Sequence, residues 1–186
     1  DLDGNPWFTG RGGGYWTIAK TDWKTGKITP YKVTAAQSES VVNGGEIITD
    51  RQGVVWTFAA GKLVKIDGAG EMELITIPDA EEIRRTQGTT VPAGSVGKER
   101  IWWEHRYQPV CSNGLCENPP TTLYMYEPST NRWAVYDNPP APAGTPAFSN
   151  VYNVTSMGDA DGNGWGAQFA TAVIVKADGS APGKVV

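Results

Sequence analysis

One short pattern recurs four times along this chain of 186 residues. Each copy has a turn with glycine, a strand centred on tryptophan, a second apolar strand that ends near an acid, and a tight turn before a third strand. The tryptophans Trp7, Trp56, Trp102 and Trp165 are separated by 49, 46 and 63 residues. Because one four-stranded blade of a β-propeller takes roughly 40–50 residues, the repeat predicts an all-β propeller of antiparallel sheets.

Composition supports this fold class and excludes several partners. Glycine and proline are frequent, with 23 and 13 residues, which favours short strands joined by turns. The net charge is −4 with no lysine–arginine cluster, so neither a nucleic-acid partner nor an anionic membrane surface is predicted. No apolar run approaches the roughly 18 residues of a membrane span, and no signal peptide is recognised.

The copies place approximate four-stranded blades at residues 1–33, 46–78, 95–137 and 150–186, in one propeller segment. Turns rich in Asp, Gly and Asn at residues 22–26, 67–70, 127–131 and 178–179 predict positive φ angles or Asx geometry. The first copy begins at the turn after its inner strand, and the sequence starts at Asp1 without Met. We therefore expect a processed protein or a piece of a larger ring, with a compact four-bladed ring as the alternative.

Two motifs in the first copy carry a family resemblance. Residues 1–9 have the pattern Asp-x-Asp-Gly-Asn-x-Trp-Phe-Thr, and residues 18–31 have Ile-x-Lys-x-Asp-x-x-Thr-Gly-Lys-Ile-Thr-x-Tyr. This combination resembles the propeller repeats of streptogramin B (virginiamycin B) lyase-like proteins, also around residues 50–77 and 161–178. The resemblance implies a ring of seven blades, of which the chain covers little more than half. Such repeats indicate a fold and not an activity.

The resemblance also implies a lyase site in which histidines and acid-bound Mg²⁺ open a cyclic depsipeptide by elimination. The chain has one histidine, His105, which follows Glu104 after the second strand of copy three. These two residues are candidates for an acid–base or ligand pair, and the alternative is a loop histidine bonded to Glu104 or to the backbone. Because one histidine cannot supply the whole site, lyase activity and Mg²⁺ are expected only if other blades contribute groups.

Longer connections are predicted on one face of the blades, over residues 10–16, 34–45, 78–94, 105–122 and 138–149. Elaborated loops on a rigid scaffold are a common location for recognition. The alternative is that the two aromatic residues at positions 15 and 16 cover a blade interface and that the arginines are solvated. The candidate contact residues of this binding face are Tyr15, Trp16, Arg84, Arg85, Arg106 and Tyr107.

Cys111 and Cys116 lie in one predicted connection, with Asn-Gly between them. This spacing favours a local disulfide, which loop-closure entropy makes worth roughly 2 kcal/mol. A disulfide in turn predicts an oxidising compartment, the periplasm or the cell exterior. A structural zinc site needs four ligands, and only His105 is near.

Asp159, Asp161 and Asn163 match the opening of a calcium-binding loop, but position 170, where the loop would place its glutamate, is alanine. The same turn occurs at residues 1–5, so a repeated Asx turn is favoured over a calcium site. The tryptophans are expected to pack between neighbouring blades, rather than to surround a quinone cofactor.

Three functions agree with these observations. The favoured one is a non-catalytic, exported propeller segment that acts as an interaction, assembly or ligand-binding module without a cofactor. The alternatives are a fragment of a streptogramin B lyase-like C–O lyase, with most catalytic residues outside this chain, and an accessory domain of a surface redox complex. The expected partner is the propeller segment or protein chain that completes the ring.

Overall fold

A computed structural model describes residues 1–12, 15–34, 47–59, 62–78, 95–96, 100–105, 110–112, 115–117, 122–137, 157–168 and 173–181. Strands in antiparallel pairs form every regular element of these residues, and no helix occurs among them. The predicted all-β class is therefore confirmed. The chain divides into two compact units, Asp1–Arg84 and Arg85–Val186.

Unit 1 contains two sheets in which consecutive strands are neighbours. Sheet 1 consists of β1 (Trp7–Gly12), β2 (Tyr15–Thr21) and β3 (Ile28–Thr34). Sheet 2 consists of β4 (Ile48–Thr49), β5 (Val55–Ala59), β6 (Lys62–Ile66) and β7 (Met72–Thr76).

Unit 2 contains two further sheets and a separate hairpin. Sheet 3 consists of β8 (Ser95–Val96), β9 (Ile101–His105), β12 (Thr122–Glu127) and β13 (Arg132–Asp137). The hairpin pairs β10 (Val110–Ser112) with β11 (Leu115–Glu117). Sheet 4 consists of β14 (Met157–Gly158), β15 (Gly164–Gln168) and β16 (Val173–Ala177).

The four repeated tryptophans occupy one register position. Each lies at or next to the start of the strand that follows the entry turn, namely β1, β5, β9 and β15. Across the next strand they face Lys20, Lys65, Met125 and Lys176. On the other side, in sheets 2 to 4, they face the short inner strands β4, β8 and β14 at Ile48, Ser95 and Met157. The predicted equivalence of the tryptophans is confirmed.

Among the described residues, alternating side chains form a buried core cluster in each unit. In unit 1, Trp16, Ile18 and Val33 of sheet 1 pack with Val64 and other buried residues of sheet 2. In unit 2, the core joins residues of sheet 3 to one residue of sheet 4, and it consists of Trp102, Leu123, Met125, Ala134, Tyr136 and Ala177. Because successive residues of a strand point to opposite faces, the period of two in these strands places the apolar residues on the packed side.

The turns between the third and fourth strands have the predicted geometry. Gly26, Gly70 and Asn131 have φ angles of 71°, 86° and 51°, in the left-handed region that these residue types tolerate. Asp22 and Asp67 cap their own turns, since each carboxylate Oδ1 accepts a backbone N–H two residues later, at 2.9 Å in both cases.

Two of the predicted long connections, residues 10–16 and 105–122, contain strands in the structure. Residues 10–16 are not a long connection, because β1 and β2 continue as a paired hairpin up to Gly12 opposite Tyr15. The run of β-forming residues in β2 keeps the partner strand extended despite its glycines. The sequence also predicts an inner strand at residues 152–155, which lie outside the described residues; among the described residues, β14 pairs with β15 on this side. Residues 105–122 likewise contain β10 and β11, together with the end of β9.

Candidate functional site

An aspartate six residues before the tryptophan fixes the entry turn in sheets 1, 2 and 4. In each sheet the indole Nε1 donates to the Oδ2 atom of this carboxylate, at 3.0 Å in sheet 1, 2.9 Å in sheet 2 and 2.8 Å in sheet 4. The Oδ1 atom accepts the backbone N–H four residues later at 2.9 Å in all three. One carboxylate therefore holds both the turn and the tryptophan side chain. The three pairs are Asp1–Trp7, Asp50–Trp56 and Asp159–Trp165.

The Asp159 carboxylate is fully used by N–H donors of its own turn. It accepts hydrogen bonds from the backbone of Asp161, from the backbone and side chain of Asn163, and from Trp165. Burial raises the pKa of Asp159, but these hydrogen bonds lower the pKa more, so it lies well below its ordinary value. These bonds give Asp159 the geometry of an Asx turn, and a calcium site at Asp159, Asp161 and Asn163 stays a prediction.

The third tryptophan departs from this arrangement. Position 96, six residues before Trp102, is valine, and among the described residues no atom accepts a hydrogen bond from its Nε1. The Trp102 ring is fully buried and lies over the backbone of Gly164 in sheet 4, where a Cβ atom would be 2.6 Å from its Cζ3. Its centroid lies 5.2 Å from that of the Tyr136 ring.

A charged cluster joins sheets 3 and 4 on the turn side of unit 2. Glu127 accepts from Arg100 Nε at 3.0 Å, from Arg132 Nε at 3.2 Å and from the Thr130 hydroxyl at 2.6 Å. Both arginines then reach sheet 4, where Arg100 donates to the Gly162 carbonyl at 3.1 Å and Arg132 to the Gly179 carbonyl at 2.8 Å. We name Arg100, Glu127 and Arg132 the Glu127 cluster.

The pKa of the Glu127 carboxyl lies below its ordinary value. The hydrogen bond from Thr130 lowers it most, burial raises it, and Arg100 and Arg132 lower it further. Tyr136 completes the same junction, because its hydroxyl donates to the Asp178 carbonyl at 3.0 Å. Burial raises the pKa of this phenol, so it stays a hydrogen-bond donor at neutral pH.

The corresponding junction of unit 1 is open. When sheets 1 and 3 are aligned on their tryptophans by strand register, Lys27 corresponds to Arg132, Asp22 corresponds to Glu127, and Tyr31 corresponds to Tyr136. A groove of about 280 Å³ lies between sheets 1 and 2 where unit 2 holds its arginines. We name it the unit 1 groove, and its walls are Trp7, Lys20, Asp22, Lys27, Thr29, Tyr31, Asp67, Gly68, Ala69 and Gly70.

Charges of both signs line the unit 1 groove. Lys20 Nζ lies 2.9 Å from Asp1 Oδ2 and 5.7 Å from the centre of the Trp7 ring, so its charge is compensated. The backbone and hydroxyl of Thr25 lower the pKa of Asp22, which therefore remains ionised. With an aromatic wall, opposite charges and backbone groups, the groove can hold a small polar molecule or a side chain. Across the residues the structure describes, no three acidic, histidine or cysteine side chains converge as a metal site.

The structure describes only part of the binding face that the sequence predicts. Trp16 is 6% exposed and belongs to the core of unit 1, which is the alternative that the sequence left open for it. Tyr15 opens β2, whereas the side chain of Tyr15 and all of Arg84, Arg85, Arg106 and Tyr107 lie outside the described residues. The binding face that these residues would form stays a prediction.

Two other predicted pairs are placed through their backbones. Glu104 and His105 end β9, paired with Leu123 and Thr122, so His105 is a strand residue, and their side chains lie outside the described part. The acid–base role stays a prediction. Cys111 and Cys116 are directly opposite each other in the β10–β11 hairpin.

Sequence reasoning missed the residues that join the sheets. An aspartate precedes tryptophan by six residues in three of the four copies, and this spacing was a usable signal for the indole hydrogen bond. The Glu127 cluster had no such signal. Its three residues come from separate strands and turns, and only the fold brings them together.

Comparisons with known proteins leave the family open. No family model matches the chain, and no curated protein matches it. A solved structure of a luciferin-regenerating enzyme is similar with a TM-score of 0.44 and 12% sequence identity, over 97% of this chain. The chain spans 60% of the length of that protein. Within the described ranges, no helix has the length and apolar character to cross a membrane.

Proposed function

We propose that the chain is a segment of an exported β-propeller and serves as an interaction and assembly module. Four sheets with equivalent tryptophans support the propeller, because such sheets are built to pack on neighbours of the same kind. The completing partner is a further sheet of this kind, and the face of sheet 4 that carries Trp165 is where it packs.

One exposed residue carries this proposal. Trp165 lies opposite Lys176 in β16, and Ile174 is two residues before Lys176 in the same strand. The residues at the same register position in the other sheets are Ile18, Leu63 and Leu123. Those three are at most 2% exposed, whereas Ile174 is 70% exposed. Trp165 on the same face is 37% exposed, although Trp102 is fully buried. A core position of the repeat is thus left uncovered, as expected of an interaction surface.

The packing of Trp102 indicates the chemistry of the partner. That ring packs against Gly164, a residue without a side chain at the start of β15 in the next sheet. An equivalent partner for Trp165 and Ile174 is an antiparallel sheet that presents a glycine or another small residue at this position. Burial of Ile174 would contribute roughly 1.5–3 kcal/mol to such an interface.

A charge placed on this face tests the proposal. In the complete assembly purified from its source, Ile174→Asp should lower the midpoint of thermal unfolding by several degrees, because it buries an unpaired carboxylate. In the 186-residue chain alone the same substitution should have almost no effect. The matched control is Leu74→Asp, since Leu74 is also exposed, at 45%, but lies on the outer strand of sheet 2.

Two outcomes would contradict the proposal. An assembly in which Ile174→Asp and Leu74→Asp behave alike would show that no sheet covers this face. If Ile174→Asp instead dissociates a homodimer of the 186-residue chain in sedimentation, the covering sheet belongs to a second copy, and the proposed completing sheet is wrong.

The proposed export rests on the β10–β11 hairpin. Directly opposed residues of antiparallel strands have Cα atoms about 4.5–5.5 Å apart, within the span of a disulfide. The register of Cys111 and Cys116 therefore supports the local disulfide, and with it the periplasm or the cell exterior. Mass spectrometry of protein alkylated without reduction checks the bond: two alkylated cysteines would rule it out.

A further inference from the structure

The inner edge of sheet 1 differs from that of the other three sheets. In sheets 2 to 4, a strand of two residues pairs with the tryptophan strand. In sheet 1 the order is β1-β2-β3, and among the described residues no strand lies on the other side of β1. An open strand edge presents unpaired backbone groups, which favour pairing with another segment.

Hydrogen-bond alternation shows which groups of β1 are open. The Thr21 N–H donates to the Pro6 carbonyl at 2.9 Å, so Pro6 and Thr21 are a hydrogen-bonded pair. In an antiparallel ladder the next pair, Trp7 and Lys20, does not exchange hydrogen bonds, and the Trp7 N–H and C=O point away from β2. Pro6 lacks an N–H, but that position faces β2 and leaves the open edge unobstructed.

The turn that leads into β1 already has the geometry of the complete sheets. The Asp1 nitrogen donates to the Asn5 carbonyl at 2.9 Å, as Asp50 does to Val54 and Asp159 to Asn163, both at 2.9 Å. In those sheets, the residues just before the aspartate form the inner strand, and Ile48 lies opposite Trp56.

We infer that the open edge of β1 is a strand-acceptor site for a short segment attached to the Asp1 nitrogen. Two residues of that segment pair antiparallel with β1, and the one opposite Trp7 exchanges two backbone hydrogen bonds with it. The inference concerns sheet 1 alone and stands whether or not a further sheet covers Ile174.

Short N-terminal extensions of the 186-residue chain test this inference. The first adds Ile-Ile-Thr before Asp1, which copies residues 47–49 before Asp50. The matched control adds Ile-Pro-Thr, because proline opposite Trp7 has no N–H to donate and is disfavoured in a paired strand. Both extensions convert the Asp1 ammonium group into the same amide, so only the strand pairing differs.

Hydrogen exchange of single amides gives the readout. We expect the Trp7 amide to exchange at least about fivefold more slowly with Ile-Ile-Thr than with Ile-Pro-Thr, as one added hydrogen bond predicts. The Phe8 amide is the internal control, since it belongs to the pair with Ala19 in β2 and should not change. A change at Phe8 of equal size would report general stabilisation of the sheet and would contradict a local strand-acceptor site.

Two further results would overturn the inference. Equally fast exchange of Trp7 with the Ile-Ile-Thr extension and without any extension would show that the edge does not take the attached segment. Slow exchange of Trp7 in the chain without an extension would show that another segment already occupies the edge. If that protection rises with protein concentration, the occupant is a second copy and not the segment at Asp1.

Discussion

The junction between neighbouring sheets has similar aromatic residues but different polar residues in the two units. In both, a tryptophan ring lies beside a tyrosine ring of the same sheet, stacked at 5.6 Å between centroids for Trp7 and Tyr31 and tilted at 5.2 Å for Trp102 and Tyr136. Each tyrosine reaches the turn of the following sheet. Unit 2 closes the remaining space with the Glu127 cluster, whereas unit 1 leaves a groove.

A single residue on the following sheet explains the different burial of Trp7 and Trp102. Trp102 is buried because its ring lies over Gly164, and the register counterpart of that glycine in unit 1 is Val55. A valine side chain, itself 1% exposed, occupies the space that the ring would need. Trp7 therefore stays half-buried and bonds its indole to Asp1, whereas Trp102 gives up that bond and gains packing.

One methylene group separates the two acids. The Asp22 carboxylate binds within its own turn, where Oδ1 accepts the N–H groups of Lys24 and Thr25 at 2.9 and 2.8 Å. Glu127 is longer, and its carboxylate reaches both arginines at the junction of the sheets. The comparison shows that the repeat keeps its aromatic positions while the polar positions decide whether a junction is filled or open.

Adding a methyl group at Gly164 should break the unit 2 junction with the largest effect. The Cβ of Gly164→Ala would overlap the ring of Trp102, which is enclosed by Leu123, Met125 and Tyr136. We expect a loss of about 1–3 kcal/mol in the free energy of unfolding, measured by urea titration.

Gly10→Ala is the matched control for this substitution. Gly10 is also a strand glycine, but it lies in β1 of unit 1 and has no atom within 4 Å of its would-be Cβ. It should change the free energy of unfolding by less than about 0.5 kcal/mol. Equal losses at Gly10 and Gly164 would show that Gly164 matters for its backbone and not for the Trp102 contact.

Removing the charge of Glu127 should have the next largest effect. Glu127→Gln leaves Arg100 and Arg132 without their counter-ion at a junction where the side chains of Glu127 and Arg100 are 17% and 16% exposed. We expect a loss of about 1–2 kcal/mol at pH 7. Asp22→Asn, at the counterpart in unit 1, keeps the Oδ1 acceptor of its turn and should cost less.

We also expect the stability difference between the original protein and Glu127→Gln to depend on pH. Because the pKa of Glu127 lies below its ordinary value of 4.5 in the folded protein, its stabilisation is complete above that value. The stabilisation is lost as the pH falls through the lowered pKa. The difference in stability between the original protein and Glu127→Gln should therefore shrink in acid, and a difference that is constant from pH 7 to pH 3 would exclude the charge as its source.

Sequence reasoning recovered the parts of this fold that depend on local pattern. The tryptophan register and the Asx turns follow from spacing and residue type, which act over a few residues. The two junctions do not, since they depend on what Lys27 and Arg132 meet on the turn of another sheet. No pattern of either strand encodes the facing strand, so the groove could not be predicted.

The smallest expected effect tests whether the unit 1 groove is an unfilled copy of the unit 2 junction. Lys27→Arg places a guanidinium opposite the Gly68 carbonyl, the counterpart of the Gly179 carbonyl that Arg132 binds at 2.8 Å. Since the groove is open to water and Asp22 is committed to its turn, we expect a gain of only about 0.5 kcal/mol by urea titration. Lys24→Arg is the control, because Lys24 lies on the same turn, over the Trp23 ring and outside the groove. Equal gains from the two substitutions would mean that arginine stabilises this surface in general, and the groove would then be a feature of unit 1 in its own right.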